Sequence, residues 1–216
     1  MKDKKRKKPS DRPGRRIPAP AEDLRGRPSR EASGTGFPAR RGWLMVAGVL
    51  AAAAAVLLVY APALNGPFVF DDQYLPFFSP KFAQQSLYMA TKGVRPLLMF
   101  SFWINNRWAG TEPYTYHLWN VLAHLVNAVL VFLIARKILA AARAGEGRRE
   151  WLAAFAGAVF LLHPVQTESV AYVASRSENL SALFYFAAAA VFLYRKRAAI
   201  GWLSAVAVIA LYGAAV

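Results

Sequence analysis

Two adjacent carboxylates, Asp71 and Asp72, directly follow a membrane-length apolar run and the aromatic segment Phe68-Val-Phe. Spanning a bilayer does not require them there. A hydroxyl attacking a phosphate-activated sugar needs a carboxylate base, and a second carboxylate can orient the acceptor or bind a divalent cation. The same pair also suits a solvated turn after a membrane helix, and spacing alone leaves both readings open.

Other polar residues gather around that pair in the sequence. Arg95-Pro96 opens an apolar stretch to Ile104, and proline suits a first helical turn. The stretch is too short to span and is expected to lie at the interface, with Trp103 and Trp108 at headgroup depth. Arg95 at its start could meet a phosphate through charge and the helix N-terminus, whereas Arg107 suits lipid headgroups. His117, Asn120, His124 and Asn127 recur at offsets of three, four and three, so they share one helix face. Polar groups at membrane depth must be satisfied, so this face should turn inward and hydrogen-bond between helices. His117, nearest the external surface, is also a candidate for the site. Further on, His163-Pro164 ends an apolar run and starts a segment carrying Glu168, Tyr172, Ser175, Arg176 and Glu178. As one short helix, that segment would place Glu168, Tyr172 and Ser175 on a common face. It could bind a phosphate and a sugar, or form an interfacial helix with ordinary ion pairs. The Asn179-Leu-Ser181 sequon lies at a membrane edge and is read as silent.

The elements that must position these residues are membrane helices. Of 216 residues, 56% are hydrophobic and the formal net charge is +15, but charge and apolarity are segregated. Residues 1–42 hold about half of the Lys and Arg, with Pro, Gly and Ser, and read as a disordered basic cytoplasmic tail. The tail lacks the aromatic interleaving of a single-strand binder, so nucleic acid is not expected as a partner. With no cysteine, there is no disulfide framework and no thiolate metal site. A cleaved leader ending near Ala61-Pro62-Ala63 is disfavoured by the long basic region and long apolar run. About five spans are expected, near 43–64, 116–135, 151–162, 180–194 and 200–216. Basic residues concentrate in the tail, in 136–150 and in 195–197, which places the tail in the cytoplasm and both polar loops together on the opposite face. The chain stops inside its fifth apolar run and reads as the N-terminal part of a longer protein.

Taken together, Phe68-Val-Phe-Asp-Asp, Arg95-Pro-Leu, Tyr116-His-Leu-Trp-Asn-Val, and His163-Pro-Val-Gln-Thr-Glu-Ser-Val-Ala-Tyr-Val with Ser-Arg-Ser-Glu178 resemble the membrane O-mannosyltransferase-like proteins that carry C-terminal tetratricopeptide repeats. The resemblance runs from about Tyr60 to Leu193, with the motifs in order. It implies an all-α polytopic fold of the GT-C glycosyltransferase type, here its N-terminal portion, acting at the non-cytoplasmic face. It further implies transfer of a mannose-like sugar from a polyprenyl-phosphate donor to a hydroxyl on a protein or glycan. Carried over by position, Asp71 would be the base and Asp72 would orient the acceptor. Arg95, Arg176 and His163 would hold the donor phosphate, with Glu168, Glu178 and His117 in support. No cofactor is required beyond that candidate divalent cation. Further helices and the repeats would lie beyond Val216, so this polypeptide by itself is expected to be inactive. The competing readings are a non-catalytic membrane scaffold whose external loops bind a partner, and a transporter lined by the His/Asn stripe. The Ala- and Arg-rich composition suggests a bacterial inner membrane.

Overall fold

The computed structural model describes residues 38–93, 95–195 and 201–215. The compact unit Ala39–Val216 carries the architecture below. The basic tail therefore lies outside the described residues up to residue 37. The backbone of 38–42 is already helical, so the first helix begins before the expected boundary at Trp43.

Among the described residues every regular element is helical. Helix α1 (Pro38–Val59) draws on a run of Ala, Leu and Val and ends just before Tyr60. Pro62, which lacks an N–H, fits the first turn of the one-turn helix α2 (Ala61–Leu64). The loop that follows is built of short pieces. They are 3-10 turns at Phe70–Tyr74 and Pro76–Phe78, then α3 (Pro80–Gln84) and α4 (Leu87–Thr91). Helix α5 (Pro96–Ala109) starts on the expected proline but runs 14 residues rather than nine. It stops at Gly110, whose φ of 61° glycine adopts without steric cost. Two longer helices follow, α6 (Pro113–Ala141) and α7 (Glu146–Leu162). Helix α8 (Thr167–Ala171) lies between 3-10 turns at Pro164–Gln166 and Val173–Ser175. Helices α9 (Arg176–Leu193) and α10 (Trp202–Ala215) complete the described chain.

Each expected span coincides with a helix, but five spans are not established. Among the described residues α6, 29 residues long with an 18-residue stretch of mean hydropathy 2.1, is the one helix long and apolar enough to cross a membrane. The apolar parts of α1 and α10, Trp43–Val59 and Trp202–Ala214, are shorter. The 17 residues of α7 reach about 25 Å, against a hydrocarbon core of about 30 Å.

Helix α6 is the axis of the fold, packing against α7 on one side and α9 on another, while α10 packs on α9. Gly157 explains how closely α6 and α7 approach: a Cβ there would lie 3.2 Å from the Ala128 carbonyl oxygen and 3.3 Å from Phe132 Cβ. Two apolar clusters frame the site. One joins Val56, Tyr60 and Leu64 to Val121, Leu161 and Val170. The other gathers Phe77, Phe82, Phe102, Tyr116 and Val173, so the loop between α2 and α5 is anchored by aromatic burial. Phe68 adds to it, with ring centroids 5.1 to 5.5 Å from Phe78, Phe77 and Tyr116.

Candidate functional site

The two polar loops meet. Asp72 is fully buried, and its Oδ1 accepts the Ala174 N–H at 2.7 Å while its Oδ2 accepts the Val69 N–H at 3.3 Å. Its own N–H returns to the Val69 carbonyl at 3.0 Å, closing the turn. Asp71 is exposed, and its N–H donates to the Tyr172 hydroxyl at 3.0 Å. Phe70 packs edge-on against Tyr172 at 6.4 Å. Phe70 has φ of 49°, a conformation that is costly for a bulky residue. The strained residue thus points the two neighbouring carboxylates in different directions, one inward and one to solvent. The Tyr172 pKa is raised by desolvation and by the charges of Asp71 and Asp72, against the Asp71 N–H, so the phenol stays a proton donor at neutral pH.

Beneath this contact lies a buried polar network. Arg176, 3% exposed, donates through Nε to Asn120 Oδ1 at 2.9 Å and through Nη2 to Asn105 Oδ1 at 3.2 Å and the Tyr116 carbonyl at 2.9 Å. Its guanidinium stacks 4.6 Å from the centroid of the Phe102 ring. Burial pushes its pKa down, opposed by Tyr116 and by Asp72. The polar face of α6 does turn inward. Asn120 Nδ2 donates to the Tyr172 carbonyl, Asn127 Nδ2 to the Asn179 carbonyl and side chain, and Asn179 Nδ2 to the Asn120 carbonyl. His124 Nε2 lies 3.1 Å from the Leu161 carbonyl oxygen. Asn179 is spent in this network and is 3% exposed, which closes the sequon to glycosylation.

The structure sorts the expected site residues into groups. Asp71, Asp72 and Tyr172 are brought together. His117 is buried beside them against Phe68, with its ring nitrogens toward the Ala171 and Gly66 backbone. Arg95 is exposed at the start of α5 and faces Ser177, Glu178 and Ser181 across a cleft of about 260 Å³. His163 is exposed, and its Nδ1 accepts the Val165 N–H at 3.2 Å, capping its own turn. Glu168 is exposed and makes no side-chain hydrogen bond among the described residues. Two expectations change. Arg176 holds the fold from within, because its donors are committed to protein acceptors that a lipid phosphate would have to displace. The common face of Glu168, Tyr172 and Ser175 does not exist, because the helix breaks at Tyr172, whose φ and ψ are −89° and 119°. The break turns the Tyr172 hydroxyl toward Asp71 and buries Ser175. Sequence spacing did not show the Asn105 contribution; a paired Asn105-Asn106 inside an otherwise apolar helix was its signal. Among the described residues no three His, Asp or Glu side chains converge on a metal position, and both Asp72 oxygens already accept N–H groups.

Other proteins share part of this sequence. Over 150 residues, 61% of this chain, it is 29% identical to a protein O-mannosyl-transferase of Caenorhabditis elegans. Over 94 residues, 44% of the chain, it is 42% identical to protein O-mannosyl-transferase Tmtc1 of Drosophila melanogaster. Over 154 residues, 63% of the chain, it is 30% identical to protein O-mannosyl-transferase TMTC1 of Mus musculus. The chain is similar to protein O-mannosyl-transferases. This matches the resemblance carried by its motifs. The matches cover 21%, 10% and 16% of those three relatives, so the chain spans about a fifth of their length or less. No family model matches the chain, and no solved structure does. The expected bacterial inner membrane is overturned: the relatives come from worm, fly, mouse and human.

Proposed function

We propose that this chain is the N-terminal part of a membrane glycosyltransferase that moves a mannose-like sugar from a polyprenyl phosphate to a hydroxyl on a protein or glycan. The reaction takes place at the non-cytoplasmic face, in a GT-C-type bundle whose described helices include α1, α6, α7, α9 and α10 as spans. Two things support the reading: the names of the relatives, and one geometric observation. Of two adjacent carboxylates, Asp72 is locked inside and Asp71 stands in solvent beside a protonated phenol.

In this reading Asp71 takes the proton from the acceptor hydroxyl as that oxygen attacks the sugar. Asp72 holds the loop, and Tyr172 orients Asp71. The departing lipid phosphate is received by Arg95, whose planar guanidinium can pair with two oxygens. Glu178 and the serines of the same cleft flank it. His163, Glu168 and His117 act in support.

The test is transfer of label from radiolabelled polyprenyl-phosphate mannose to protein, in membranes carrying the longest product of the gene. Wild type should transfer and Asp71→Asn should not, at equal insertion. Absence of transfer by the wild type would favour the scaffold reading, and unchanged transfer by Asp71→Asn would remove Asp71 as the base.

A further inference from the structure

Phe70 sits at odds with its surroundings in two ways. Its φ of 49° lies in the left-handed region, where asparagine or glycine costs less than a bulky aromatic. Its ring is 81% exposed, so burial offsets little of that cost. Among the described residues its aromatic contact is with Tyr172, the ring centroids 6.4 Å apart and the planes at 81°. Tyr74 closes the same turn and is as exposed, at 85%, but its φ is not positive. Asp71, next in the chain, also lies against Tyr172. Its N–H reaches the phenol oxygen at 3.0 Å, and the phenol interacts with its carboxylate. An exposed carboxylate and an exposed aromatic ring thus share one anchor. Backbone strain kept at a solvent-facing aromatic beside a candidate base points to a ligand rather than to the core.

We propose that the Phe70 ring faces the pyranose being transferred and stabilises the positive charge that develops on it. The proposal rests on the reading that Asp71 is the base of a sugar transfer. In that reaction the bond from the anomeric carbon to the donor phosphate breaks, and its electron pair leaves with the phosphate. The acceptor oxygen forms the new bond, and its proton passes to Asp71. Bond breaking runs ahead of bond making, so positive charge spreads over the anomeric carbon and the ring oxygen. An aromatic face attracts a cation, and the C–H face of a pyranose packs on the same surface. The attraction grows as the charge develops, so it acts on the transition state more than on the bound donor. The acceptor is the weaker candidate for this face, because its hydroxyl carries no positive charge once its proton has gone to Asp71.

The test is sugar transfer in membranes carrying the longest product of the gene, with radiolabelled polyprenyl-phosphate mannose as donor. Phe70→Leu keeps an apolar side chain and removes the π face. Its kcat should fall about tenfold while the donor KM moves by less than about twofold. Phe70→Trp should hold kcat within about twofold of wild type, since indole binds cations best among the aromatic side chains. Tyr74→Leu, at an equally exposed aromatic of the same turn, should leave both constants unchanged. Phe70→Asn should lose transfer as Phe70→Leu does, yet unfold no earlier than wild type in detergent, because Asn takes the left-handed φ at lower cost. Equal losses in the Leu and Trp variants would reduce the ring to a matter of shape. Equal losses at Phe70 and Tyr74 would make both rings lipid contacts. A change confined to KM would place the contact in the bound donor, and a lowered midpoint for Phe70→Asn would make the ring a structural anchor. Each of these overturns the proposal, as does unchanged transfer by Phe70→Leu beside an active wild type. A wild type without transfer overturns both the proposal and the reading of Asp71 beneath it.

Discussion

Asp72 Oδ1 and the Ala174 N–H are 102 residues apart in the chain and 2.7 Å apart in the fold. This bond, with that of the Tyr172 hydroxyl to the Asp71 N–H, makes one surface of two loops. The two acids therefore differ: the buried one joins the loops and the exposed one faces solvent.

Replacing Asp72 should damage the fold before it damages any reaction. Asp72→Ala leaves the Val69 and Ala174 N–H groups without their acceptor, at a cost of about 1–3 kcal/mol. Asp72→Asn should lose part of this, since its amide presents a donor to one of two N–H groups. Thermal unfolding and proteolysis within residues 163–178 would both report the loss.

Asp71→Asn should behave in the opposite way. Its side chain is exposed and its backbone N–H is untouched by the substitution. Stability should change by less than about 0.5 kcal/mol, while sugar transfer falls at least about a hundredfold. Unfolding midpoints measured beside label transfer would separate the two effects.

Arg176→Ala should be among the most destabilising single changes. It removes the donor from Asn105, Asn120 and the Tyr116 carbonyl together, and about 3 kcal/mol or more should be lost. Arg176→Lys should recover little, because an ammonium cannot span three acceptors as a flat guanidinium does. Denaturation of the two variants in detergent checks both statements.

Gly157→Val should separate α6 from α7. The added Cβ falls 3.2 Å from the Ala128 carbonyl oxygen, and a cost of about 1–3 kcal/mol follows from overpacking. Gly48→Leu, with open space around it, should leave the unfolding midpoint unchanged.

Acid should weaken the α6–α7 end through Glu150. Desolvation pushes its carboxyl up, but the hydrogen bonds from Arg136 and Arg149 outweigh that, and the net shift is below the ordinary 4.5. A lowered folded value means that the stabilisation is complete above 4.5 and is lost as pH falls through the lowered value. The side chains are 26% and 34% exposed, so solvent screening holds the effect below about 1 kcal/mol. Comparing unfolding midpoints of wild type and Glu150→Gln from neutral to acid pH should show them converging in acid.

The sequence by itself determined the long helices and the polar face of α6. Apolar runs with few charges can satisfy their backbone in a bilayer as helices, and offsets of three and four put His117, Asn120, His124 and Asn127 on one side whatever surrounds them. Pro96 fixed the start of α5 and Pro164 the end of α7, since proline lacks the N–H that an interior turn needs. The motif order was enough to indicate the O-mannosyl-transferase resemblance. The sequence did not determine which acid is buried, because Asp71 and Asp72 are chemically identical and only the φ of Phe70 and the Ala174 N–H tell them apart. Nor did it show that Arg176 points inward: an arginine at a helix start serves a phosphate or a buried amide equally well until its acceptors are in place. Those acceptors come from α5 and α6, 56 to 71 residues away in the chain, and only tertiary packing brings them to Arg176.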